Sequence, residues 1–321
     1  MRAVVLGDAP WSLRVAADWP EPELGSGQVM VGVRGVGICG SDLALISQAR
    51  RAPSYPWVLG HEAFGQVVAV GDGVDPSRVG QRVVIEPNYP CLRCPACQAG
   101  LTSMCPDRVL VGFTAPGLLA EYAAVPSDYA WPVPEHWTDG DAVCAEPLTV
   151  ALAAIRRSGM TAGSRCLVVG AGSQGGLLCL ALAARGVIPH VLEPNEGRLQ
   201  LAVSLGAKAA GPDDQGFQTI FETSGAEAAL GEAISRAAPG ASVVLIGLGG
   251  QATRTDTRKV VTRQLTLRGS LIYDHPDDFA ATLASAVPAP ERILRAGYPL
   301  DEAPEAFRAA RQVPGKTWIR V

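Results

Sequence analysis

Hydrophobic and polar positions change rhythm near the middle of this 321-residue chain. Over roughly the first 90 residues the apolar runs are short, as in Val29-Met30-Val31-Gly32-Val33 and Gly65-Gln66-Val67-Val68-Ala69-Val70-Gly71, and they are bounded by Gly, Asp and Pro. That pattern predicts short strands joined by tight turns. Glycines at 65, 71, 73 and 80 predict bulges and reversals of the kind that close a barrel only partly. Leu148, Leu152 and Ile155 then fall on one helical face, with Pro147 expected at the first helical position. From Thr161 strands and helices alternate. Strands are predicted at Arg165–Val169, His190–Leu192, Thr219–Glu222, Ser242–Ile246 and Leu265–Ser270. Helices are predicted from the glycine-rich turn to about Ala184, over Glu196–Leu205 and over Glu227–Ala237. Such alternation predicts a doubly wound α/β sheet.

Length argues for two domains, since a single core rarely grows this large. The expected division is residues 1–147 as a β-rich domain with a lobe at about 88–108, and 148–270 as the doubly wound domain. Residues 271–321 are expected to return to the first domain and end in a short strand, Thr317–Val321.

Composition narrows the class. Apolar residues make up 48%, enough for globular cores, and the longest apolar candidate, Leu177 to Ala184, stops at Arg185. It is too short to cross a bilayer, so no membrane partner is expected. A net charge of −4 without a basic patch gives no support for nucleic-acid binding. Eight cysteines and no secretory signal predict reduced thiols and metal binding, with the cytoplasm as the default compartment.

Cys39-Gly40-Ser41-Asp42 sets a thiolate, a hydroxyl and a carboxylate in one short run, and His61-Glu62 follows about twenty residues later. Either segment alone carries little weight. Together with a later acidic residue they offer three ligands and an open position, the arrangement of a catalytic zinc. Cys91, Cys94, Cys97 and Cys105 crowd into fifteen residues at a spacing suited to a closed tetrahedral ion. An iron–sulfur cluster is the rival; the small, polar, proline-bearing lobe favours structural zinc. Further on, Gly170-Ala171-Gly172-Ser173-Gln174-Gly175 ends one predicted strand, opens a helix and precedes a second strand that stops at Glu193. That context is the dinucleotide fingerprint. Gly170 permits the turn, Gly172 admits the pyrophosphate, Gly175 allows close helix packing, and Ser173 and Gln174 open the helix whose N-terminus faces the phosphates. Glu193 suits the ribose hydroxyls of NAD and repels the 2′-phosphate of NADP; Arg198, five residues on, could favour that phosphate.

In order along the chain, Gly37-Ile38-Cys39-Gly40-Ser41-Asp42, Gly60-His61-Glu62, the four-cysteine lobe and Glu146-Pro147-Leu148 resemble the zinc-dependent medium-chain dehydrogenases. The branch they look like holds polyol, sorbitol, threonine, butanediol and aminocyclitol dehydrogenases. The resemblance spans essentially the whole chain. It implies a GroES-like, partly closed β-barrel catalytic domain beside a Rossmann domain, two zinc ions per chain and a homodimer or homotetramer. It makes Cys39, His61 and Glu146 the catalytic zinc ligands, Ser41 the proton-relaying hydroxyl and Asp42 the partner of the ligand histidine. Glu62 is implied as an alternative ligand; a carboxylate that never touches the metal is the competing reading. Cys144 lies two residues from Glu146 and is the better donor, but falls outside the motif. Arg198 resembles the arginine that many NAD-using relatives carry beside the adenine. Where many relatives have a relay histidine, this chain has Ala44.

The expected activity is hydride transfer between a secondary alcohol of a polyol, sugar or aminocyclitol and NAD. The alternatives are a reductase of a ketone or activated double bond on the same fold, and a non-catalytic zinc and nucleotide binder. Trp57, Phe113 and Tyr273 are candidate pocket residues or ordinary packing. Lys316 is expected on the surface, solvated or against a cofactor phosphate. His136, His190 and His275 are expected to be structural or exposed.

Overall fold

A computed structural model describes residues 1–250 and 252–321. The chain forms two compact units, one made of Met1–Glu146 with Leu294–Val321, the other of Pro147–Ile293.

In the first unit the strand Gln28–Gly37 is the spine. It pairs antiparallel with Glu62–Val70, Tyr122–Pro126 and Lys316–Arg320. Alternate residues Val29, Val31 and Val33 point into the core, as period-2 patterning requires. Register shifts at Met30/Val31 and Val33/Gly35 bend the strand. Beyond them the alternation ends, and Val36 and Gly37 are both buried on the way to Cys39. The returning strand Lys316–Arg320 seats Lys316 beside this end. A second, three-stranded sheet of Ala3–Leu6, Leu13–Ala16 and Trp57–Val58 joins the unit, and the cysteine lobe is closed by a two-stranded sheet of Asn88–Tyr89 and Val109–Leu110.

The second unit is a six-stranded, all-parallel sheet. Across it the strands run Lys208–Ala209, His190–Leu192, Cys166–Val169, Phe217–Glu222, Ala237–Leu245 and Thr266–Gly269. That order is the dinucleotide-binding, doubly wound arrangement. The helix Ser173–Ala183 is buried from Gly175 to Leu182, which explains why its residues are apolar on every side. No helix among the described residues is long and apolar enough to cross a membrane.

Two expectations are corrected. The helix containing Pro147 starts at Ala145, so Pro147 sits within the first turn, where a missing N–H breaks no intrahelical bond. Residues 271–293 stay with the second unit, and the chain leaves it only at Leu294. The physical cause is a set of contacts absent from any short motif. Arg156 bonds Asp278 (2.7 Å) and Asp274 (2.9 Å), Arg157 bonds Asp274 (2.7 Å), and Tyr273 is buried against Phe279 at 5.6 Å. Tyr273 is therefore a core residue.

Candidate active site

Cys39 ends the stretch leaving the spine strand and directly precedes the helix Gly40–Ile46. Asp42, in the first turn of that helix, is wholly buried and holds two neighbours at once. Its Oδ2 accepts the Cys39 N–H at 3.0 Å, and its Oδ1 lies 3.3 Å from His61 Nδ1, an ion-pair separation. With Nδ1 turned to Asp42, Nε2 of His61 is left for a metal. Ligand atoms of Cys39, His61 and Glu62 lie within 4.8 Å of one another.

Glu62 has a partner that sequence reasoning missed. Lys316 is as buried as Glu62 and forms a very short ion pair with it, while its Nζ donates to the Ile38 carbonyl at 3.2 Å. The expectation of a surface or phosphate-binding lysine is wrong. A Cβ on Gly37 would collide with both the Glu62 carboxylate and the Lys316 side chain, so this glycine makes room for the pair. The available signal was weak: Lys316 is one of few lysines in an arginine-rich chain and opens an apolar strand.

Glu146 is buried in the first turn of the helix Ala145–Ser158. Burial, with Glu62 and Asp42 nearby, raises its carboxyl to about 7 against the opposing pull of His61 and Lys316. It lies outside the set of donors that share the 4.8 Å limit, where Glu62 stands instead. At His61, burial disfavours charge but Asp42 and Cys39 outweigh it, and the pKa is held well above the ordinary value. A thiolate, an imidazole and a carboxylate converging at one place are a donor set that suits zinc. Cys144 is buried, and Lys316 has its pKa raised, burial lowering it and the Glu62 carboxylate raising it by more. Ser41 is half-buried in the same first turn as Asp42, and its hydroxyl has no hydrogen-bond partner among the described residues.

Of the aromatic candidates in this unit, Phe113 reaches the site and Trp57 is a buried core residue. Phe113 lies 4.9 Å from the His61 ring, and Trp57 Nε1 donates to the Gly112 carbonyl at 2.9 Å.

The lobe brings Sγ atoms of Cys91, Cys94, Cys97 and Cys105 within 4.8 Å of one another. Cys105 is the buried member, and its sulfur accepts the Cys91 N–H at 3.3 Å. Backbone N–H groups of Arg93 and Cys94 pull Cys91 down to about 6, while desolvation and the neighbouring sulfurs push Cys97 up to about 12. Four sulfurs competing for negative charge fit a tetrahedral zinc, which relieves them together.

In the second unit Gly170 turns the chain at φ 92°, open space surrounds the α-carbon of Gly172, and a Cβ on Gly175 would strike the Gly170 carbonyl. Gly172 caps the helix Ser173–Ala183, and Gln174 Nε2 donates to the Pro147 carbonyl at 3.2 Å. Ser173 Oγ is buried without a hydrogen-bond partner among the described residues, at the end of the helix where a phosphate oxygen could supply one. Glu193 accepts the Ala171 N–H (2.7 Å) and the Asn195 N–H (2.9 Å), so it is fixed beside the glycine turn. Arg198 enters the next helix with its backbone N–H on Asn195 Oδ1 at 3.0 Å. Thr223 was not anticipated; its hydroxyl donates to the Gly170 carbonyl at 2.9 Å and braces the turn.

Comparison with known proteins agrees with this geometry. Residues 25–135 match the alcohol dehydrogenase GroES-like domain and residues 175–287 match the zinc-binding dehydrogenase domain. D-xylulose reductase A of Aspergillus oryzae is 30% identical over an alignment that covers 94% of this chain and 92% of that protein. The alcohol dehydrogenase RspB of Escherichia coli, solved with NADH, superposes with a TM-score of 0.91 at 27% identity, covering 100% of this chain and 99% of that one. A zinc-binding dehydrogenase of Sinorhizobium meliloti, solved with NADP, gives 0.90 at 27% identity over the same shares. The chain belongs to the zinc-containing alcohol dehydrogenase family, with a GroES-like domain and a Rossmann domain, and is an oxidoreductase of the polyol-dehydrogenase kind.

Proposed function

We propose that this chain oxidises a secondary alcohol of a polyol or sugar with NAD, at a zinc held by Cys39, His61 and a carboxylate. The observation that carries the reading is the convergence of ligand atoms of Cys39, His61 and Glu62 within 4.8 Å, with Asp42 against both Cys39 and His61. Glu146 is the proposed third ligand, with Glu62 as its alternate, held back by Lys316. When bound, zinc polarises the substrate oxygen and the nicotinamide accepts hydride.

Ser41 receives the substrate hydroxyl proton, its own hydroxyl being uncommitted. Ala44 stands where the family resemblance implies a histidine in many members, so the proton passes from Ser41 to water or to a substrate group. Asp42 keeps the His61 tautomer fixed throughout. Glu193 binds the adenosine ribose and selects NAD, because its carboxylate repels a 2′-phosphate. Cys91, Cys94, Cys97 and Cys105 hold a structural zinc, which requires reduced thiols and so suits the cytoplasm. The wholly exposed edge strand Thr266–Gly269, with Leu267 and nearby Leu271 and Val261 exposed, supports a homo-oligomer that covers this edge.

The test is NADH formation across polyols and sugars with NAD and with NADP, in both directions. Alcohol-dependent reduction of NAD supports the reading; saturable NAD binding without turnover on any alcohol or ketone sinks it. Light scattering decides the oligomer, and a monomer at working concentration removes it.

A further inference from the structure

We propose that the substrate of this site carries an anionic group, a carboxylate or a phosphate, which Arg50 receives while the reacting alcohol lies at Cys39 and His61. The inference rests on the dehydrogenase reading above and names the substrate class within it. Arg50 is exposed, but its position is set. Its backbone N–H donates to the Ala44 carbonyl at 3.0 Å, closing the turn that follows the helix Gly40–Ile46. Gln48 sits in the left-handed region at φ 60° within this turn, and its side-chain amide donates to the Asp8 carbonyl at 2.5 Å. The turn therefore holds the backbone from which the side chain reaches its place.

That place is a face of Phe113, with Arg50 Cζ 4.5 Å from the ring centroid. Phe113 is 8% exposed, and its centroid is 4.9 Å from that of His61. One aromatic ring thus touches both a cation and a proposed metal ligand. The two contacts in series keep the guanidinium no more than about 9.4 Å from the imidazole, within reach of a six-carbon chain that has its alcohol at one end and its anion at the other.

Stacking on the ring uses the face of the guanidinium and leaves the N–H donors along its edges unused. In the same unit Arg2 pairs with Glu121, Arg82 with Asp139, and Arg78 donates to Ser127. Arg50 has no carboxylate within ion-pair distance among the described residues. A planar fork, anchored and unpaired, is the geometry that accepts two oxygens of a carboxylate or phosphate. The same charge repels an ammonium group, so it selects against the aminocyclitols in the expected substrate set.

The experiment compares sorbitol, gluconate, sorbitol 6-phosphate and an aminocyclitol as substrates of the zinc-loaded enzyme with NAD. In the wild type at least one anion is expected to exceed sorbitol about tenfold in kcat/KM, chiefly through KM, and to exceed the aminocyclitol by more. Which anion leads separates carboxylate from phosphate. Arg50→Gln is expected to collapse the ratio of anionic to neutral kcat/KM about tenfold or more, and Arg50→Lys to restore part of it, since charge returns without the fork. Inorganic phosphate should compete with the anionic substrate in the wild type, a readout that needs no variant. Sorbitol or the aminocyclitol leading both anions, a ratio within twofold of wild type in Arg50→Gln, or no competition by phosphate overturns the proposal. If no member of the panel yields NADH, the dehydrogenase reading itself fails and the proposal falls with it.

Discussion

Replacing Lys316 with Met tests whether the buried pair with Glu62 holds the catalytic end of the first unit together. Met keeps the length of the chain and removes the charge. Lys316 and Glu62 side chains are only 1% and 2% exposed, so solvent cannot take over the abandoned carboxylate. Removing one partner of a buried pair costs about 3–5 kcal/mol, roughly two to four orders of magnitude in the unfolding equilibrium. Removing both charges is far milder, because desolvation offsets most of what such a pair gains. Glu62→Gln with Lys316→Met should therefore return to within about 1 kcal/mol of wild type. All six tryptophans, at 11, 19, 57, 131, 137 and 318, belong to the first unit, so their fluorescence in urea follows this unit alone. Chelated protein gives the cleanest reading, since a metal ion could neutralise Glu62 in place of the lysine. A single variant losing less than about 1 kcal/mol, or a double variant as unstable as the single, would refute the reasoning.

Other predictions follow from the same contacts. Gly37→Ala should destabilise the first unit by about 1–3 kcal/mol, because a Cβ meets the Glu62–Lys316 pair; an unfolding curve matching wild type would contradict this. Asp278→Ala should cost the second unit about 1–3 kcal/mol by leaving the Asp274 N–H without its acceptor and Arg156 with Asp274 alone, read by far-UV circular dichroism. Glu193→Ala should narrow the preference for NAD over NADP about tenfold or more in kcat/KM, and an unchanged ratio would undo its ribose role. Cys94→Ser should lose solubility first and bind about one zinc per chain where the wild type binds about two.

Much of this molecule was legible because its signals are local. The glycine fingerprint needs only a strand before it and a helix after it, and Cys166–Val169 and Ser173–Ala183 supply them. Four cysteines within fifteen residues can reach one ion whatever the rest of the fold does. Long-range contacts were not legible. Lys316 meets Glu62 only because the last strand returns to the spine beside Gly37, and no residue near Lys316 announces that pairing. Asp274 and Asp278 hold the segment beyond Leu271 on the second unit through Arg156 and Arg157, more than a hundred residues away. Arg50 reads as one more surface arginine until Phe113 and His61 are placed beside it. The third zinc ligand is the intermediate case. The motif points to Glu146, while proximity to Cys39 and His61 points to Glu62, and a charge partner unseen in the sequence bears on the choice.

The account stands on a catalytic metal at Cys39 and His61, and the Cys39→Ser variant tests it most directly. Alcohol-dependent NADH formation is measured on variant and wild type whose zinc content and tryptophan fluorescence are known. The expected result is a folded variant holding about one zinc, that of the lobe, with NADH formation abolished. Full turnover by a folded Cys39→Ser chain would contradict it.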